Sequence, residues 1–399
     1  MGSNNIILAT CGPTLSRILH NCRNLSPESV KNILIIYDER AGYLGDFCMR
    51  FDKVRYMKQF FTNASIRLNY AFTKDRNFIN SLFCHDPYLD SISHSSWDEI
   101  DFNAYEVVLI ASNYQLKLLT YLQARYRNMA ISGQFRTAVY SASEMVLLHT
   151  LAQDFKFPVC ERLQDFIWRI PNKTGEICVT EDEQEWAGRW LEAQGLQPHE
   201  RLVIFLDSTS YEQKLVDAGV YFDIVGNMLS RKDIRVLVFD ESGIGKEQYY
   251  REKLGDKKMK RMIFSSGQTL RQDLSIIASR YTCVVFGPCS GLLHCASSIY
   301  NYYVNNGIRS RFAVPSLIVY TGQYPGSMVN AHTWWGMSPL VDALLLREVK
   351  KKKTLVLLSS LEGDEKNTKD VLPSKDYPAQ LIIDFIDKKL RPLKEKIYG

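Results

Sequence analysis

Residues 283–299, CVVFGPCSGLLHCASSI, contain one complete strand, turn and helix pattern. The apolar run at 283–287 is typical of a buried strand, and residues 288–290 follow it as a turn of small side chains. Apolar side chains then recur at helical spacing at Leu292, Leu293, Ala296 and Ile299. A buried strand that leads through such a turn into a helix is the repeating unit of an α/β fold with a parallel sheet.

The same unit recurs in two groups along the chain. Strand-like runs of the first group lie at 6–10, 33–37, 65–72, 106–112 and 135–141. After a polar stretch at 172–201, those of the second group lie at 201–207, 234–240, 260–266, 283–287 and 316–322. Helical spacing is also clear in two sets of apolar residues: Leu270, Leu274 and Ile277, and Ile382, Ile386 and Leu390. We therefore predict an α/β protein with two Rossmann-like, doubly wound domains.

Length and composition agree with two folded domains. A chain of 399 residues exceeds the size at which single cores stop growing, and 46% hydrophobic with 23% charged residues is an ordinary globular balance. The net charge of +5 is a mild excess that suits an anionic ligand or surface without favouring nucleic acid. The nine cysteines are scattered and form no C-x-x-C pair, which predicts neither a disulfide framework nor a metal site.

Location is predicted from the same features. The start, MGSNNIILATCG, lacks the basic region and long apolar core of a secretory signal, and no run of 18 apolar residues follows. We expect a cytoplasmic protein. The basic residues Arg347 and Lys350 to Lys353 are typical of a solvated surface, and the alternative is peripheral contact with an anionic inner membrane face.

Ligands of doubly wound sheets bind beyond the carboxyl ends of the strands, so we sought candidate residues there. No G-x-G-x-x-G follows a strand, and GIGKE at 243–247 lacks the spacing and the Ser/Thr of a P-loop. These absences disfavour a dehydrogenase and a nucleoside triphosphatase.

The first candidate segment is AGYLGDF at 41–47. Gly42 and Gly45 let the backbone turn and approach a ligand closely, and Asp46 lies near a predicted helix start. Asp46 is either a helix cap, which is the commoner role of such a residue, or a general base that takes a proton from a sugar hydroxyl.

The second candidate segment is DSTSYEQK at 207–214. Ser208 and Thr209 offer hydroxyl donors, and Lys214 offers a positive charge suited to a phosphate. The alternative is an ordinary polar loop with a solvated lysine.

The third candidate segment is the turn and helix start at 287–295. Small residues such as Ser290 and Gly291 expose backbone N–H groups that, with the helix dipole, stabilise a diphosphate. His294 is either part of this site or a buried core histidine. Cys289 and Cys295 match no zinc spacing, so structural cysteines are favoured.

In this order the segments resemble the heptosyltransferase-like family of GT-B glycosyltransferases. Leu44-Gly45-Asp46 matches the family's L-G-D turn, and residues 265–299 resemble its most characteristic stretch, D-[ST]-G-x-x-H-x-A. Cys289 stands where that stretch has its aspartate. Further similar segments lie at 60–72, 85–93, 103–112 and 202–214.

The resemblance implies a GT-B fold with an acceptor-binding domain at 1–172, a nucleotide-sugar-binding domain at 173–375 and a helix at 376–399 that crosses back to the first domain. It implies an inverting, metal-independent enzyme with Asp46 as the catalytic base and no cofactor besides the donor, for which an ADP-sugar is a candidate. Gly42 and Gly45 would lie at the acceptor side of the cleft. Around the donor it implies Ser208, Thr209, Lys214, Cys289, Ser290, Gly291 and His294.

From this resemblance we predict a transferase that moves a hexosyl or heptosyl group to a glycan or lipid-linked acceptor in surface-polysaccharide or lipopolysaccharide assembly. Two alternatives stay open. One is a sugar-nucleotide epimerase or hydrolase, because these also use a two-lobed cleft. The other is a non-catalytic nucleotide-sugar-binding protein, which Cys289 makes plausible.

Overall fold

A computed structural model of the chain describes residues 3–37, 44–50, 52–71, 76–111, 115–141, 161–170, 174–240, 243–323, 335, 338–362 and 370–397. The chain divides into two compact units. The first comprises Met1–Gly42 and Arg50–Lys173, and the second comprises Tyr43–Met49 and Thr174–Gly399. The second unit thus includes a short early segment that the predicted boundaries, 1–172 and 173–375, assigned to the first domain. The acceptor and donor roles of the two domains stay predictions.

The first unit contains a five-stranded parallel sheet in the order β3-β2-β1-β4-β5. Its strands are β1 Asn32–Ile36, β2 Ser65–Asn69, β3 Ser91–Ser93, β4 Val107–Ile110 and β5 Ala138–Ser141. All of β4 and nearly all of β1 is buried, as expected for central strands of a sheet covered on both faces. The strands predicted at 33–37, 65–72, 106–112 and 135–141 are confirmed; the first is shifted by one residue and the other three are shorter than predicted.

The strand predicted at 6–10 is wrong, because these residues belong to a helix. The helices of the first unit are Ser3–Asn24, Asp52–Phe60, Arg76–Phe83, Gln115–Ile131 and Glu161–Arg169, with short 3-10 helices at Pro27–Ser29, Trp97–Glu99 and Phe102–Ala104. Asn21 Nδ2 of the first helix donates to the carbonyls of Phe135 and Thr137, at 3.1 and 3.0 Å. A short apolar run does not by itself distinguish a buried strand from a helix, and this run belongs to a helix that packs beside β5.

The second unit contains a seven-stranded sheet in the order β12-β11-β10-β9-β6-β7-β8. Its strands are β6 Arg201–Phe205, β7 Ile234–Asp240, β8 Met262–Ser266, β9 Thr282–Pro288, β10 Ser316–Thr321, β11 Val341–Val349 and β12 Lys352–Leu357. All neighbours pair in parallel except β11 and β12. Each of the five strands predicted for this part is present, and β11 and β12 were not predicted. From β6 the chain adds β7 and then β8 on one side of the sheet. It then returns to the other side of β6 and adds β9 and β10. The order in which strands are added therefore reverses between the neighbouring strands β6 and β9.

The helices of the second unit cover this sheet. They are Glu181–Ala193, Ala218–Leu229, Lys246–Leu254, Asp256–Met259, Leu270–Ala278, Gly291–Asn305 and Ala379–Ile397. The early helix Leu44–Arg50 also belongs to this unit, except for its last residue, Arg50. Short 3-10 helices occur at Glu212–Lys214, Leu358–Ser360 and Ser374–Asp376. The two helices predicted from apolar spacing are present. Ile382, Ile386 and Leu390 of the last helix are buried in the core of this unit, and its predicted crossing to the first domain stays a prediction.

The basic run predicted as a solvated surface forms a hairpin between β11 and β12. Lys350 and Lys351 have φ of 51° and 64°, the left-handed geometry that both central residues of a type I′ turn need. Neither residue is the Gly or Asn usual at these positions, which explains why the hairpin was not predicted. Lysines along β12 also protect a sheet edge against pairing with other chains. Across the described residues, none of the helices has the length and apolar character that crossing a membrane requires.

Candidate functional site

A cavity of about 450 Å³ lies in the second unit at the point where the chain direction across the sheet reverses. Its walls come from the carboxyl ends of β6, β9 and β10 and from the helix starts beside them, the position where doubly wound sheets bind ligands. Every residue predicted around the donor lines this cavity: Ser208, Thr209, Lys214, Cys289, Ser290, Gly291 and His294. Gly45 lines it as well. The structure therefore brings together residues that are up to 249 positions apart in the printed sequence.

The loop after β6 is tied to the loop after β9. Thr209 Oγ1 donates to the carbonyl of Cys289 at 3.2 Å, and Lys214 Nζ lies 3.5 Å from the same oxygen. Lys214 also lies over the ring of Tyr211, with Nζ 5.4 Å from the ring centroid. These contacts hold the ammonium group of Lys214 at the cavity wall, close to the start of the next helix.

The helix Gly291–Asn305 begins at the cavity. Ser290 is its N-cap residue, yet its side chain makes no capping hydrogen bond. The buried Oγ of Ser290 has no hydrogen-bond partner among the described residues. Gly287 lets β9 lie close to β6, because a Cβ there would be 2.6 Å from Leu206 Cβ. The first N–H groups of a helix have no partners within it, so this start presents free donors and a positive dipole end to the cavity.

His294 is a buried, neutral imidazole on the first turns of this helix. Its ring stacks on Trp335, with centroids 4.0 Å apart and planes 7° from parallel. Its Nε2 lies 3.8 Å from Cys289 Sγ. Burial, and to a smaller extent the charge of Lys214, lowers the pKa of His294 to about 3. The ring is thus uncharged at neutral pH. His294 is buried and also lines the cavity, and its part in donor binding stays a prediction.

Three glycines allow the helix Leu44–Arg50 to pack closely in the second unit. A Cβ on Gly45 would lie 2.7 Å from His294 Cδ2, and a Cβ on Gly291 would lie 2.8 Å from Leu44 Cβ. A Cβ on Gly175 would overlap the carbonyl oxygen of Cys48. The buried sulfur of Cys48 lies 3.4 Å from that of Cys295, and neither cysteine forms a disulfide.

The predicted base and acceptor-side glycine are only partly described. The backbone of Asp46 lies in the helix Leu44–Arg50, one residue after Gly45, but its side chain lies outside the described part of the structure. Gly42 lies outside the described residues. The roles predicted for both residues stay predictions.

A polar network beside the cavity was not predicted from the sequence. The carboxylate of Asp207 accepts hydrogen bonds from Lys246 Nζ and from Tyr250 OH, both at 2.7 Å. Tyr250 OH also lies 2.7 Å from Tyr221 OH. The network holds Asp207, which lines the cavity, in a fixed position. Its sequence signal was weak, because Lys246 and Tyr250 reach Asp207 across 39 and 43 positions.

The segment 243–247 lacks the sequence pattern of a P-loop, and two of its backbone N–H groups already bond to a carboxylate of the chain. Ile244 N and Gly245 N each lie 3.1 Å from a carboxylate oxygen of Asp240. A carboxylate of the chain itself therefore takes the place that a phosphate takes in a P-loop. Within the described ranges, no group of three or more His, Cys, Asp and Glu is arranged to hold a metal ion.

Comparison with known proteins gives a likeness in fold. No family model and no curated protein sequence matches the chain. Among solved structures, the ADP-heptose lipopolysaccharide heptosyltransferase II of E. coli is 13% identical with a TM-score of 0.57, covering 92% of this chain and 99% of that one. A glycosyl transferase family 9 protein from Veillonella parvula is 11% identical with a TM-score of 0.57, at the same coverage of 92% and 99%. The predicted α/β fold, and its likeness to glycosyltransferases of this kind, are confirmed.

Proposed function

We propose that this chain is a glycosyltransferase that binds a nucleotide sugar in the cavity of the second unit. The observation that carries the proposal is the convergence of Lys214, a helix start and a set of small polar residues at the point where the chain direction reverses. The fold shared with two glycosyltransferase structures supports the reaction class.

The diphosphate of the donor binds at the start of the helix Gly291–Asn305. Free N–H groups of the first turn donate to phosphoryl oxygens, and the helix dipole favours negative charge there. Lys214 adds a full positive charge from the loop after β6. Because His294 is neutral at physiological pH, it offers a hydrogen bond without adding charge.

In the transfer step, the bond between the sugar's anomeric carbon and the diphosphate oxygen breaks while an acceptor hydroxyl attacks that carbon. Negative charge develops on the leaving diphosphate, where Lys214 and the helix start stabilise it without a metal ion. The acceptor hydroxyl loses its proton to the carboxylate of Asp46, next to the cavity-lining Gly45. Attack from the face opposite the leaving group makes the enzyme inverting.

The donor and acceptor are proposed from the resemblance. Cys289 stands where the family has an aspartate, so a contact that the resemblance assigns to the donor sugar or ribose is absent or replaced, and the identity of the sugar stays open. An ADP-sugar carrying a hexose or heptose is the first donor to test. A glycan or lipid-linked acceptor of surface-polysaccharide or lipopolysaccharide assembly fits the same resemblance.

A cytoplasmic location with peripheral contact at the inner membrane face would suit a lipid-linked acceptor. Lys350, Lys351 and Lys352 are exposed at and beside the hairpin turn. Each basic residue near an anionic surface contributes about 1 kcal/mol. Cosedimentation with vesicles of anionic lipid should therefore fall when the three lysines are replaced by Gln, and unchanged cosedimentation would contradict membrane contact.

The experiment that tests the proposed function measures thermal stabilisation by ADP-, GDP-, UDP- and CMP-sugars, followed by product analysis with and without a glycan acceptor. Binding stabilises the folded protein by RT ln(1 + [L]/Kd), so one donor class should raise the melting temperature. No shift with any of the donors would refute the proposal. Epimerised donor, or sugar released equally without acceptor, would instead identify an epimerase or a hydrolase.

Two variants separate binding from chemistry. Lys214→Met should weaken donor binding by roughly tenfold to a hundredfold, because a hydrogen bond to a charged group is lost. Asp46→Asn should lower the transfer rate by about 10²- to 10⁴-fold and leave donor binding intact. The matched controls are Lys232→Met and Asp223→Asn, which change exposed residues that do not line the cavity. Normal transfer by Asp46→Asn would show that Asp46 is not the base.

A further inference from the structure

Ser374 lines the cavity at the end of β10 and carries a buried hydroxyl group. The residue is 1% exposed, lies in the 3-10 helix Ser374–Asp376 and lines the cavity with Thr321 and Gly322. Its Oγ has no hydrogen-bond partner among the residues that the structure describes. None of the sequence motifs includes this residue.

Close packing on Gly322 fixes the position of this hydroxyl. A Cβ on Gly322 would overlap Ser374 N and would lie 2.8 Å from Ser374 Oγ and 2.9 Å from the carbonyl oxygen of Leu372. Only a glycine at 322 therefore allows the 3-10 helix to lie this close to the end of β10.

Tyr377, the residue after the 3-10 helix Ser374–Asp376, bonds that helix to the sheet. It is 1% exposed, and its hydroxyl lies 2.6 Å from the carbonyl oxygen of Thr321 and 2.8 Å from that of Leu344. Its backbone N–H donates to the carbonyl of Ser374 at 3.3 Å. The element that carries Ser374 is thus bonded to both β10 and β11.

An unpaired buried hydroxyl destabilises the free protein, because water no longer solvates it and no protein group replaces water. Ser290, on the other loop of the cavity, carries a second such hydroxyl. Two hydroxyls of this kind at one cavity indicate partners supplied by a ligand.

We infer that Ser374 is a donor-binding residue whose hydroxyl donates a hydrogen bond to an oxygen atom of the bound nucleotide sugar. The inference rests on the proposed function and adds the β10 side of the cavity to the donor site. The oxygen belongs either to the diphosphate or to the transferred sugar, and the two sources are distinguished by measuring a nucleoside diphosphate and its sugar conjugate separately.

The test compares Ser374→Ala with Ser265→Ala. Ser265 is also buried, but its hydroxyl donates to Asp273 at 2.7 Å and the residue does not line the cavity. Titration calorimetry with ADP, GDP and UDP, and then with the matching nucleotide sugar, gives the affinities. Thermal unfolding without ligand gives the stability of each free protein.

Ser374→Ala should raise the melting temperature of the free protein and weaken ligand binding about tenfold or more. Weakened binding of the diphosphate locates the oxygen on the phosphates, and weakening of the sugar conjugate alone locates it on the sugar. Ser265→Ala should lower the melting temperature and bind as the wild type does.

Wild-type affinity in Ser374→Ala, for both the diphosphate and the conjugate, would overturn the inference and leave the proposed function standing. A wild-type protein that bound none of the nucleotides would overturn both. A lower melting temperature of Ser374→Ala with unchanged binding would show that the hydroxyl is structural.

Discussion

Replacing His294 should remove a large part of the acid sensitivity of the second unit. Burial lowers the pKa of His294 to about 3 from an ordinary 6.5. Between these values the unfolded chain binds a proton that the folded protein does not, so stability falls as the pH drops below 6.5. The contribution is fully present above pH 6.5 and is lost as the pH falls toward 3.

The magnitude follows from this difference in pKa. A fall from 6.5 to about 3 corresponds to about 5 kcal/mol of unfolding free energy, at about 1.4 kcal/mol for each pH unit. At pH 5, about 1.5 units below the unfolded value, about 2 kcal/mol of this has been lost relative to pH 7.5. His294→Phe keeps a flat ring to stack on Trp335 and cannot take up a proton.

The assay is urea unfolding of both proteins at pH 7.5 and pH 5, followed by circular dichroism. The wild type should lose about 2 kcal/mol more than His294→Phe between the two values. The comparison cancels the contributions of the other ionisable groups, and His199→Gln, at an exposed position, controls for the loss of an imidazole. Equal losses in the wild type and in His294→Phe would refute a neutral, buried His294.

Three further predictions concern the same unit. Gly287→Ala should destabilise it by about 1–3 kcal/mol in thermal unfolding because its Cβ meets Leu206, whereas Gly188→Ala, whose Cβ would lie 4.0 Å from Tyr281 Cε2, should be neutral or stabilising. Tyr250→Phe should cost about 1.5–3 kcal/mol in urea unfolding through its lost bond to Asp207, and Tyr249→Phe, at a residue 47% exposed, should cost far less. Iodoacetamide should label Cys289 more slowly when a nucleoside diphosphate that stabilises the protein in thermal unfolding is bound, and should label the exposed Cys84 at an unchanged rate. Mass spectrometry with Cys289→Ser as reference would show this, and equal labelling of Cys289 with and without that nucleotide would place the nucleotide elsewhere.

Most of the fold could be predicted because central parallel strands are apolar throughout. The runs at 201–207, 234–240 and 316–322 all correspond to strands, since burial on both faces leaves a continuous apolar signal. That signal fails at the edges of the sheet. The strand β12 carries lysines because it is an edge strand, and a run such as 6–10 is apolar for another reason, as part of a helix.

The candidate site could be predicted where its residues follow a strand directly. Lys214 lies in the connection that follows β6 and Gly291 begins the helix that follows β9, so the pairing of these two strands places them together. Ser374 and Trp335 could not be predicted, because no local pattern relates them to the carboxyl ends of the central strands. Their positions depend on packing between distant parts of the chain, against Gly322 and His294.

The short segment 43–49 affects how the second unit folds during synthesis and whether it can be studied as a separate fragment. Its cysteine, Cys48, contacts Cys295, a residue 247 positions later. During synthesis this helix therefore leaves the ribosome long before its packing partners exist, and the second unit reaches its final form only after residues 291–298 have emerged. A fragment that starts at Thr174 would lack one wall of the cavity, so nucleotide binding should be measured on the full chain or after adding residues 43–49 as a separate peptide.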